Sequence, residues 1–170
     1  MDQKTIFSED RKYRYTLWRD FESWINKNKN YVVFIGLNPS TADETKDDPT
    51  IRRCMGFTKQ WGFGSLCMLN LFAYRTVNPE EMKRQIDPIG PDNDKYLLQI
   101  CSEASLIIAA WGTQGNFVDR DKKIMALIPD MKCLSNTKNG FPQHPLYVRK
   151  NAMPFDYNLC ALASLREKNL

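Results

Sequence analysis

Four short apolar segments recur along the chain, and polar or turn-forming residues separate them. The first, residues 31–35, runs directly into a polar turn at residues 36–41. An apolar run of this length, rich in β-branched residues and bounded by glycine and proline, is typical of a strand that is buried on both faces. Such strands belong to parallel sheets that are covered by helices. The same pattern predicts further strands at residues 66–71, 106–111 and 131–135.

Helical patterns lie between these strands. Asp48 is a suitable N-cap and Pro49 suits the first helical position, so a helix is expected to begin at this point. Its core face would carry four apolar residues, Ile51, Cys54, Met55 and Trp61. Further helices are predicted at residues 80–85, 92–103 and 116–127, and residues 160–168 could form another.

The alternation of strands and helices predicts a single α/β domain over residues 1–170, with residues 1–10 and 156–170 at its periphery. Right-handed crossovers would make it a three-layer αβα domain around a short, mainly parallel four-stranded sheet. We predict the strand order 2-1-3-4, with the strands numbered along the chain and helices on both faces. In open sheets of this kind, ligands bind in the crevice beyond the carboxyl ends of the strands.

Residues 11–24 begin with alternating aromatic and basic side chains. An extended strand would carry Tyr13, Tyr15 and Leu17 on one side and Lys12, Arg14 and Thr16 on the other. In a structural interpretation, this is an edge strand that leads into a turn or a short helix. In a functional interpretation, it is an aromatic and basic contact surface for nucleic acid. We favour the structural interpretation.

Composition bears mainly on the partners of the protein. The 170 residues are 42% hydrophobic, which is enough for one domain with a sizeable core. The formal net charge of +4 is compatible with a polyanionic partner and equally with an ordinary solvated surface. If the charge serves nucleic-acid binding, the rim of the site should carry Arg52, Arg53, Arg75 or Arg149.

The five cysteines are widely spaced and include no CxxC pair. We therefore expect buried free thiols in a reducing compartment rather than a disulfide or metal framework. No apolar run approaches the roughly 18 residues of a membrane helix, and the N-terminus lacks the core of a signal peptide. We expect a soluble cytoplasmic protein without a membrane partner, and the sequence leaves its oligomeric state open.

The residues that follow the four predicted strands are expected to meet at one edge of the sheet. They are Asn38, Asn70, Trp111 with Gly112, and the loop that holds the only histidine, His144. Such convergence would form a site of the size of a base or nucleotide. No histidine-rich or cysteine-rich set supports a metal site, and no GxGxxG or P-loop motif is present, so we expect no cofactor.

Each candidate residue also has a structural interpretation. Asn38 could orient a water or bind a base edge, or it could stabilise its loop through an Asx-turn. Asn70 needs hydrogen-bond partners, which either the backbone or a ligand could supply. Phe57 could stack on a planar ligand, although a single aromatic residue on a helix more often lies in the core. His144 lies in a proline-flanked loop that could hold a catalytic imidazole or a structural one.

Four motifs of this chain resemble those of a known family, in the same order. They are GLNPSTADETKDDPTIRRCMGF, LNLFAYR, AAWGTQG and TKNGFPQHPLY. This combination resembles the bacterial and phage family DUF1643 over most of residues 10–155. The resemblance implies a family but no particular activity.

A second resemblance, to the uracil-DNA glycosylase superfamily, bears on mechanism. GLNPS at residues 36–40 is similar to the water-activating motif of those enzymes, and CMLN at residues 67–70 is similar to the strand that ends in their base-recognising asparagine. HPLY at residues 144–147 is similar to their final histidine motif, and the third predicted strand ends in WG, as theirs does. Their stacking phenylalanine would correspond to Phe57.

This resemblance implies a uracil-DNA glycosylase-like fold and a set of residue roles. Asn38 and His144 would be catalytic, with Asn38 positioning a water and His144 stabilising the departing base. The substrate-binding residues would be Gly36, Pro39, Ser40, Phe57, Asn70 and Gly112. Asn38 stands where the fastest members carry an aspartate, as it does in the mismatch-specific branch. The acidic residues 43–48 would repel a phosphate backbone that faced them.

We therefore expect a protein that recognises a nucleobase, either in nucleic acid or in a free nucleotide, and that could hydrolyse the N-glycosidic bond of a modified base. A base in a duplex would first have to be flipped out of the stack. Two alternatives remain open. One is a binding module that holds the same ligands without cleaving them, and the other is an interaction protein of phage or mobile-element biology with a vestigial pocket.

Overall fold

The first apolar run forms a central strand in which every residue is buried. A computed structural model of the chain describes residues 4–21 and 30–157. Within those residues there are seven strands: β1 (Ile6–Phe7), β2 (Arg14–Asp20), β3 (Tyr31–Gly36), β4 (Ser65–Asn70), β5 (Leu106–Ala109), β6 (Lys132–Cys133) and β7 (Phe155–Asp156). The α-helices of the same described residues are α1 (Pro49–Gln60), α2 (Pro79–Lys83), α3 (Asn93–Cys101) and α4 (Arg120–Leu127). Two 3₁₀ segments, Gly112–Asp119 and Pro145–Tyr147, lie beyond β5 and β6.

All seven strands belong to one mixed sheet in the order β1-β2-β4-β3-β5-β6-β7. The strands β4, β3, β5 and β6 are neighbours, and each adjacent pair among them is parallel. The outer pairings, which involve β1, β2 and β7, are antiparallel. The prediction of a four-stranded sheet is therefore wrong in its strand count, because antiparallel strands extend the sheet on both sides of the parallel centre.

Alternate side chains of β3 supply two separate hydrophobic cores. Val33 and Ile35 pack on one face of the sheet with residues of α2, α3 and α4. Val32 and Phe34 pack on the other face, against Ile51 and other residues of α1. Helices thus cover both faces, so the described residues form a three-layer α/β arrangement around a strand with no polar face.

The strand β2 departs from the predicted alternation. Its register against β1 shifts between the pairs Ile6–Thr16 and Phe7–Arg14. Tyr15 stacks on Tyr96 of α3, whereas Leu17 packs in the core that contains α1. The prediction that Tyr15 and Leu17 share one side is wrong, because the register shift interrupts the two-residue period. It is also wrong that β2 is an edge strand, since β1 covers it.

The predicted helix and strand bounds differ from the structure mainly after β5. The Asp48 cap is confirmed, because its Oδ1 accepts a hydrogen bond from the backbone nitrogen of Ile51 at 2.8 Å. In contrast, the single helix predicted at residues 116–127 is divided. Val118 and Asp119 have φ values of 49° and 53°, in the left-handed region, which separates the 3₁₀ segment from α4.

Three cysteines are buried free thiols, as predicted: Cys54, Cys67 and Cys101. Cys133 is also buried, and its Sγ lies 3.4 Å from Oδ1 of Asn136. The fifth, Cys160, and the helix predicted at residues 160–168 lie outside the described residues. Ile6 and Phe7, within the residues 1–10 that the sequence predicts to be peripheral, form β1 at the outer edge of the sheet. The guanidinium carbon of Arg11 lies 3.9 Å from the ring centre of Phe7, a contact that further fixes this segment.

Two glycines provide a matched test of this fold. Gly90 has a φ of +88°, and a Cβ built there would lie 2.9 Å from Cδ1 of Tyr13. Gly90→Ala should lower the free energy of unfolding by about 1–3 kcal/mol, because it adds both backbone strain and a steric conflict. Gly56, on the exposed face of α1, has no heavy atom within 4 Å of the corresponding position. Gly56→Ala should therefore raise stability by about 0.5–1 kcal/mol.

Urea denaturation of the two variants and the unsubstituted chain measures both effects. Two changes of the same sign would contradict the assigned backbone conformation at Gly90 or the helix at Gly56.

Candidate functional site

A cavity of about 520 Å³ lies beyond the carboxyl ends of β3, β4 and β5. The loops that follow these strands and the start of α1 form its walls. Residues named from the sequence that line it are Gly36, Asn38, Ser40, Asn70, Gly112 and His144. The structure therefore brings both asparagines and the histidine to one cavity, which is what the parallel strand order requires.

Asn70 ends β4 with its side chain inside the protein. It is only 1% exposed, and its Nδ2 has no hydrogen-bond partner within the described part of the chain. Its backbone carbonyl accepts a hydrogen bond from Nδ2 of Asn93 at 3.0 Å, which ties the strand end to α3. Asn70 is thus held firmly through its backbone while its amide group remains an unused donor at the cavity.

Gly36 makes room for this amide. It pairs with Asn70 across the parallel β3–β4 ladder. A Cβ at Gly36 would lie 3.0 Å from Oδ1 of Asn70 and 2.6 Å from Cε of Met68. The absence of a side chain at Gly36 is therefore a steric requirement of the position that Asn70 occupies.

Asn38 uses its amide hydrogens on the protein itself. Its Nδ2 donates to the backbone oxygen of Thr76 at 2.8 Å and lies 3.1 Å from that of Pro39. These bonds connect the turn after β3 with the loop after β4. The amide group of Asn38 is consequently restricted to offering its Oδ1, an acceptor, to a water or ligand.

His144 caps the 3₁₀ segment Pro145–Tyr147. Its Nδ1 accepts a hydrogen bond from the backbone nitrogen of Leu146 at 3.3 Å, so the neutral ring carries its proton on Nε2. Burial lowers the pKa of His144 below its ordinary value of 6.5, and the Asp48 carboxylate acts in the opposite direction. At neutral pH, His144 is therefore an uncharged imidazole with one donor available.

Two predicted binding residues lie away from the cavity. Phe57 is only 2% exposed and stacks on Trp61 in the core beneath α1, so the prediction that it forms a wall is wrong. Its position on the helix face that packs on β3 explains the error. Pro39 is also buried outside the cavity lining, where its carbonyl accepts a hydrogen bond from the Thr76 nitrogen at 2.9 Å.

The arginines proposed for the rim are engaged elsewhere or lie outside the cavity wall. Arg53 donates to the carbonyl oxygens of Pro145 and Val148, and Arg52 donates to that of Asp47. Arg75 lies over the ring of Phe7, and Arg149 is not among the residues of the cavity wall. The arginine that does line the cavity is Arg14 from β2.

Sequence reasoning placed Trp111 at the site without a role for its side chain, and it did not assign Arg14 or Gln114 to the cavity wall. Nε of Arg14, Nε1 of Trp111 and Oε1 of Gln114 are buried, and none has a partner within the described residues. Trp111 and Gln114 follow β5 directly in the motif AAWGTQG, which was an available signal. Arg14 was named only within the alternating aromatic and basic segment, because its approach to the cavity depends on the antiparallel addition of β2 and on its shifted register.

Gly115 fixes the place of the Trp111 indole. A Cβ at Gly115 would lie 2.1 Å from Cδ1 and 2.6 Å from Nε1 of Trp111. The ring therefore lies directly against the backbone of the 3₁₀ segment, and its outer edge meets Tyr157 in an edge-to-face contact. This packing leaves the indole N–H in a fixed position at the cavity.

Comparison with known proteins places this α/β chain in a family. The model of the family described as "Protein of unknown function (DUF1643)" matches residues 14–146. The chain belongs to this family. No curated protein and no solved structure matches it.

The described residues lack two further features. Residues 4–21 and 30–157 contain no group of three His, Cys, Asp or Glu side chains placed to hold a metal ion. The same residues include no helix with the length and apolar character needed to cross a membrane.

The single histidine permits a direct test of the cavity environment. In tag-free protein, the one imidazole signal in a proton NMR titration should give a pKa below 6.5, because burial disfavours the charged ring. A value at or above 6.5 would contradict the buried, uncharged state of His144.

The lowered pKa of His144 also makes the free energy of unfolding depend on pH. Below about pH 6.5 the unfolded chain binds a proton at this histidine more readily than the folded chain, so acid removes stability. His144→Gln lacks this proton uptake. Between pH 7.5 and pH 5, the free energy of unfolding should thus fall more in the unsubstituted chain than in the variant. Parallel pH profiles from chemical denaturation would exclude this linkage.

Proposed function

We propose that the cavity binds a nucleobase, presented by a free nucleotide or by nucleic acid, on a fold resembling that of the uracil-DNA glycosylases. The observation that carries the proposal is the set of unpartnered buried atoms in one cavity. Asn70 Nδ2 and Trp111 Nε1 are donors, and Gln114 Oε1 is an acceptor. A ligand whose edge carries both acceptors and donors completes such a set, and a nucleobase has this character.

The dimensions of the cavity support a ligand of this class. Its volume of about 520 Å³ lies within the usual range for small-molecule sites, roughly 300–1,000 Å³. The apolar walls include Leu37, Met68 and Ile51. Apolar walls with a few fixed polar groups are what a planar heterocycle requires, because its faces are apolar and its edges are polar.

The unpartnered atoms argue against a vestigial pocket. Each buried polar group without a partner costs on the order of 1–3 kcal/mol relative to a satisfied one. A chain with no use for the cavity could replace Asn70 or Gln114 with apolar residues and avoid this cost. The arrangement instead favours a site that a ligand completes.

Hydrolysis of an N-glycosidic bond is the catalytic form of this proposal. In that reaction the bond between the sugar carbon and the base nitrogen breaks, and the base leaves with the electron pair. A water oxygen bonds to the sugar carbon, and the proton that the water loses balances the one that the base anion takes up. His144 could stabilise the departing base by donating from Nε2, since its Nδ1 is already an acceptor. Asn38 could accept a hydrogen bond from the water through Oδ1, because its Nδ2 already donates to backbone carbonyls.

A binding module without catalysis is the second candidate. The position of Asn38 favours it, because the amide hydrogens hold the loop after β4 and an amide cannot act as a strong base. Asp48 is the one carboxylate among the described residues that line the cavity, and its Oδ1 already caps α1. The site is thus better equipped to recognise a base than to deprotonate a water.

Binding tests the proposal with one cavity variant and one matched control. Asn70→Ala should weaken binding of the best ligand from a panel of nucleosides, nucleotides and oligonucleotides carrying uracil, hypoxanthine or modified pyrimidines. The expected loss is about tenfold or more, because a donor to the base edge is removed. Asn151→Ala, at an exposed position outside the cavity wall, should leave affinity unchanged. Equal affinities for the two variants, or no binding by any panel member, would remove the proposal.

Release of free base then separates enzyme from binding module. If the chain is a glycosylase, Asn38→Ala and His144→Ala should each lower the rate by on the order of 100-fold, with His144→Ala leaving the melting temperature nearly unchanged. Clear binding without base release from any panel member would leave the binding module as the function.

A further inference from the structure

Arg14 is the one arginine or lysine among the described residues that line the cavity, and it makes no direct ion pair there. Arg14 is only 2% exposed. Within the described residues no carboxylate lies at ion-pair distance from its guanidinium, whose one hydrogen bond there runs from Nη1 to the carbonyl oxygen of Ala42 at 3.0 Å. Burial lowers the pKa of Arg14 to about 10, so the guanidinium still carries its charge at neutral pH.

Other arginines of the chain show the usual arrangement. Arg120, which is equally buried, contacts Asp94 and also donates to the carbonyl oxygen of Leu71 at 2.8 Å. Arg19, on the same strand as Arg14, pairs with Asp47 at 2.6 Å. An unpaired buried charge is costly, and pairing is the normal remedy. Arg14 therefore differs from Arg19 and Arg120, each of which contacts a carboxylate.

The free edge of the Arg14 guanidinium has a definite shape. Nη1 is used by Ala42, whereas Nε and Nη2 donate to no acceptor within the described residues. Nε–H and Nη2–H form the parallel pair of donors that matches two oxygens of a phosphate or carboxylate. The guanidinium lines the same cavity as Asn70, so one ligand can reach both.

The first turn of α1 lies on the same wall. Thr50 and Ile51 line the cavity, and the positive end of this twelve-residue helix favours negative charge nearby. Asp48 supplies one negative group, but its Oδ1 is bonded to the Ile51 nitrogen and it makes no ion pair with Arg14. The Asp48 charge acts on Arg14 without a direct contact, so the Nε–Nη2 edge of the guanidinium stays open to an anionic group of a ligand.

We propose that the ligand carries a phosphate group that docks against the Nε–Nη2 edge of Arg14, while its base meets Asn70 and Trp111. This inference rests on the proposed function, because it names the form in which the base is presented. The phosphate is either that of a mononucleotide or one from a nucleic-acid backbone. Both sources offer the same oxygens to the guanidinium.

Calorimetric titration with four probes tests this assignment. They are uridine, uridine 5′-monophosphate, a single-stranded oligodeoxynucleotide that contains uracil, and inorganic phosphate. The adenine nucleoside and nucleotide serve as a second nucleoside–nucleotide pair beside the two uridine compounds. The monophosphate should bind about tenfold or more tightly than its nucleoside. Arg14→Gln should abolish this difference, whereas Arg52→Gln should preserve it. Arg52 is the matched control, because it carries the same charge and is not part of the cavity wall.

The outcomes separate the two proposals. Tighter binding of the oligonucleotide than of the monophosphate, again lost in Arg14→Gln, assigns the phosphate to a nucleic-acid backbone. Equal binding of nucleoside and nucleotide overturns the phosphate assignment but leaves base recognition standing. Arg14-dependent binding of inorganic phosphate without binding of any nucleoside retains the anion site and removes the nucleobase.

Thermal unfolding of Arg14→Met tests whether Arg14 has a purely structural role. If Arg14 is an uncompensated charge kept for a ligand, its replacement by an apolar side chain should leave the ligand-free melting temperature unchanged or raise it. If Arg14 instead serves to hold the loop at Ala42, the melting temperature should fall by several degrees and the nucleotide preference should persist in Arg14→Gln. The second combination would overturn the assignment.

Discussion

The register of β3 against β4 is the constraint on which the cavity depends. Gly36 lies opposite Asn70 at the last position of the parallel ladder, and the space that a Cβ would fill is occupied by the side chains of Met68 and Asn70. Just beyond the ladder, the backbone nitrogen of Leu71 donates to the Gly36 carbonyl and that of Phe72 donates to the Leu37 carbonyl. A shift of one residue would carry Asn70 to the opposite face of the sheet.

Side-chain hydrogen bonds hold this strand end from behind, and unused donors lie in front of it. Behind it, Asn93 donates to the carbonyls of Asn70 and Leu71, and Arg120 donates to Leu71 as well. In front of it, the side chains of Asn70 and Trp111 retain unused donors. The hydrogen bonds behind the strand end hold the unused donors of the cavity in place. Fixed polar groups of this kind can bind a ligand without first having to be ordered.

The sequence predicted the parallel centre of the fold because its signals there are local. The apolar run at β3, the Asp48–Pro49 helix start and the polar residues after the strands follow from periodicity and capping. These signals also predicted that Asn38, Asn70 and His144 lie at one edge of the sheet.

The errors arise where tertiary contacts decide the outcome. Phe57 lies on the core face of α1, and a sequence motif does not reveal which aromatic ring faces a cavity. Besides the adjacent Pro39, the acceptors of the Asn38 amide lie in a loop 36–38 residues away along the chain. Arg14 reaches the cavity only through a register shift in an added antiparallel strand. None of these relations leaves a periodic or local trace in the sequence.

The most direct test of the account is the indole N–H signal of Trp111 in a ¹H–¹⁵N NMR spectrum. The chain has four tryptophans, so the signal can be assigned by comparison with Trp111→Phe. Trp61 provides an internal control, because its Nε1 donates to the Ala152 carbonyl at 3.3 Å, outside the cavity wall. Addition of a bound nucleotide should shift the Trp111 signal and leave that of Trp61 in place. Binding that leaves the Trp111 signal unchanged would contradict recognition of a base by this cavity.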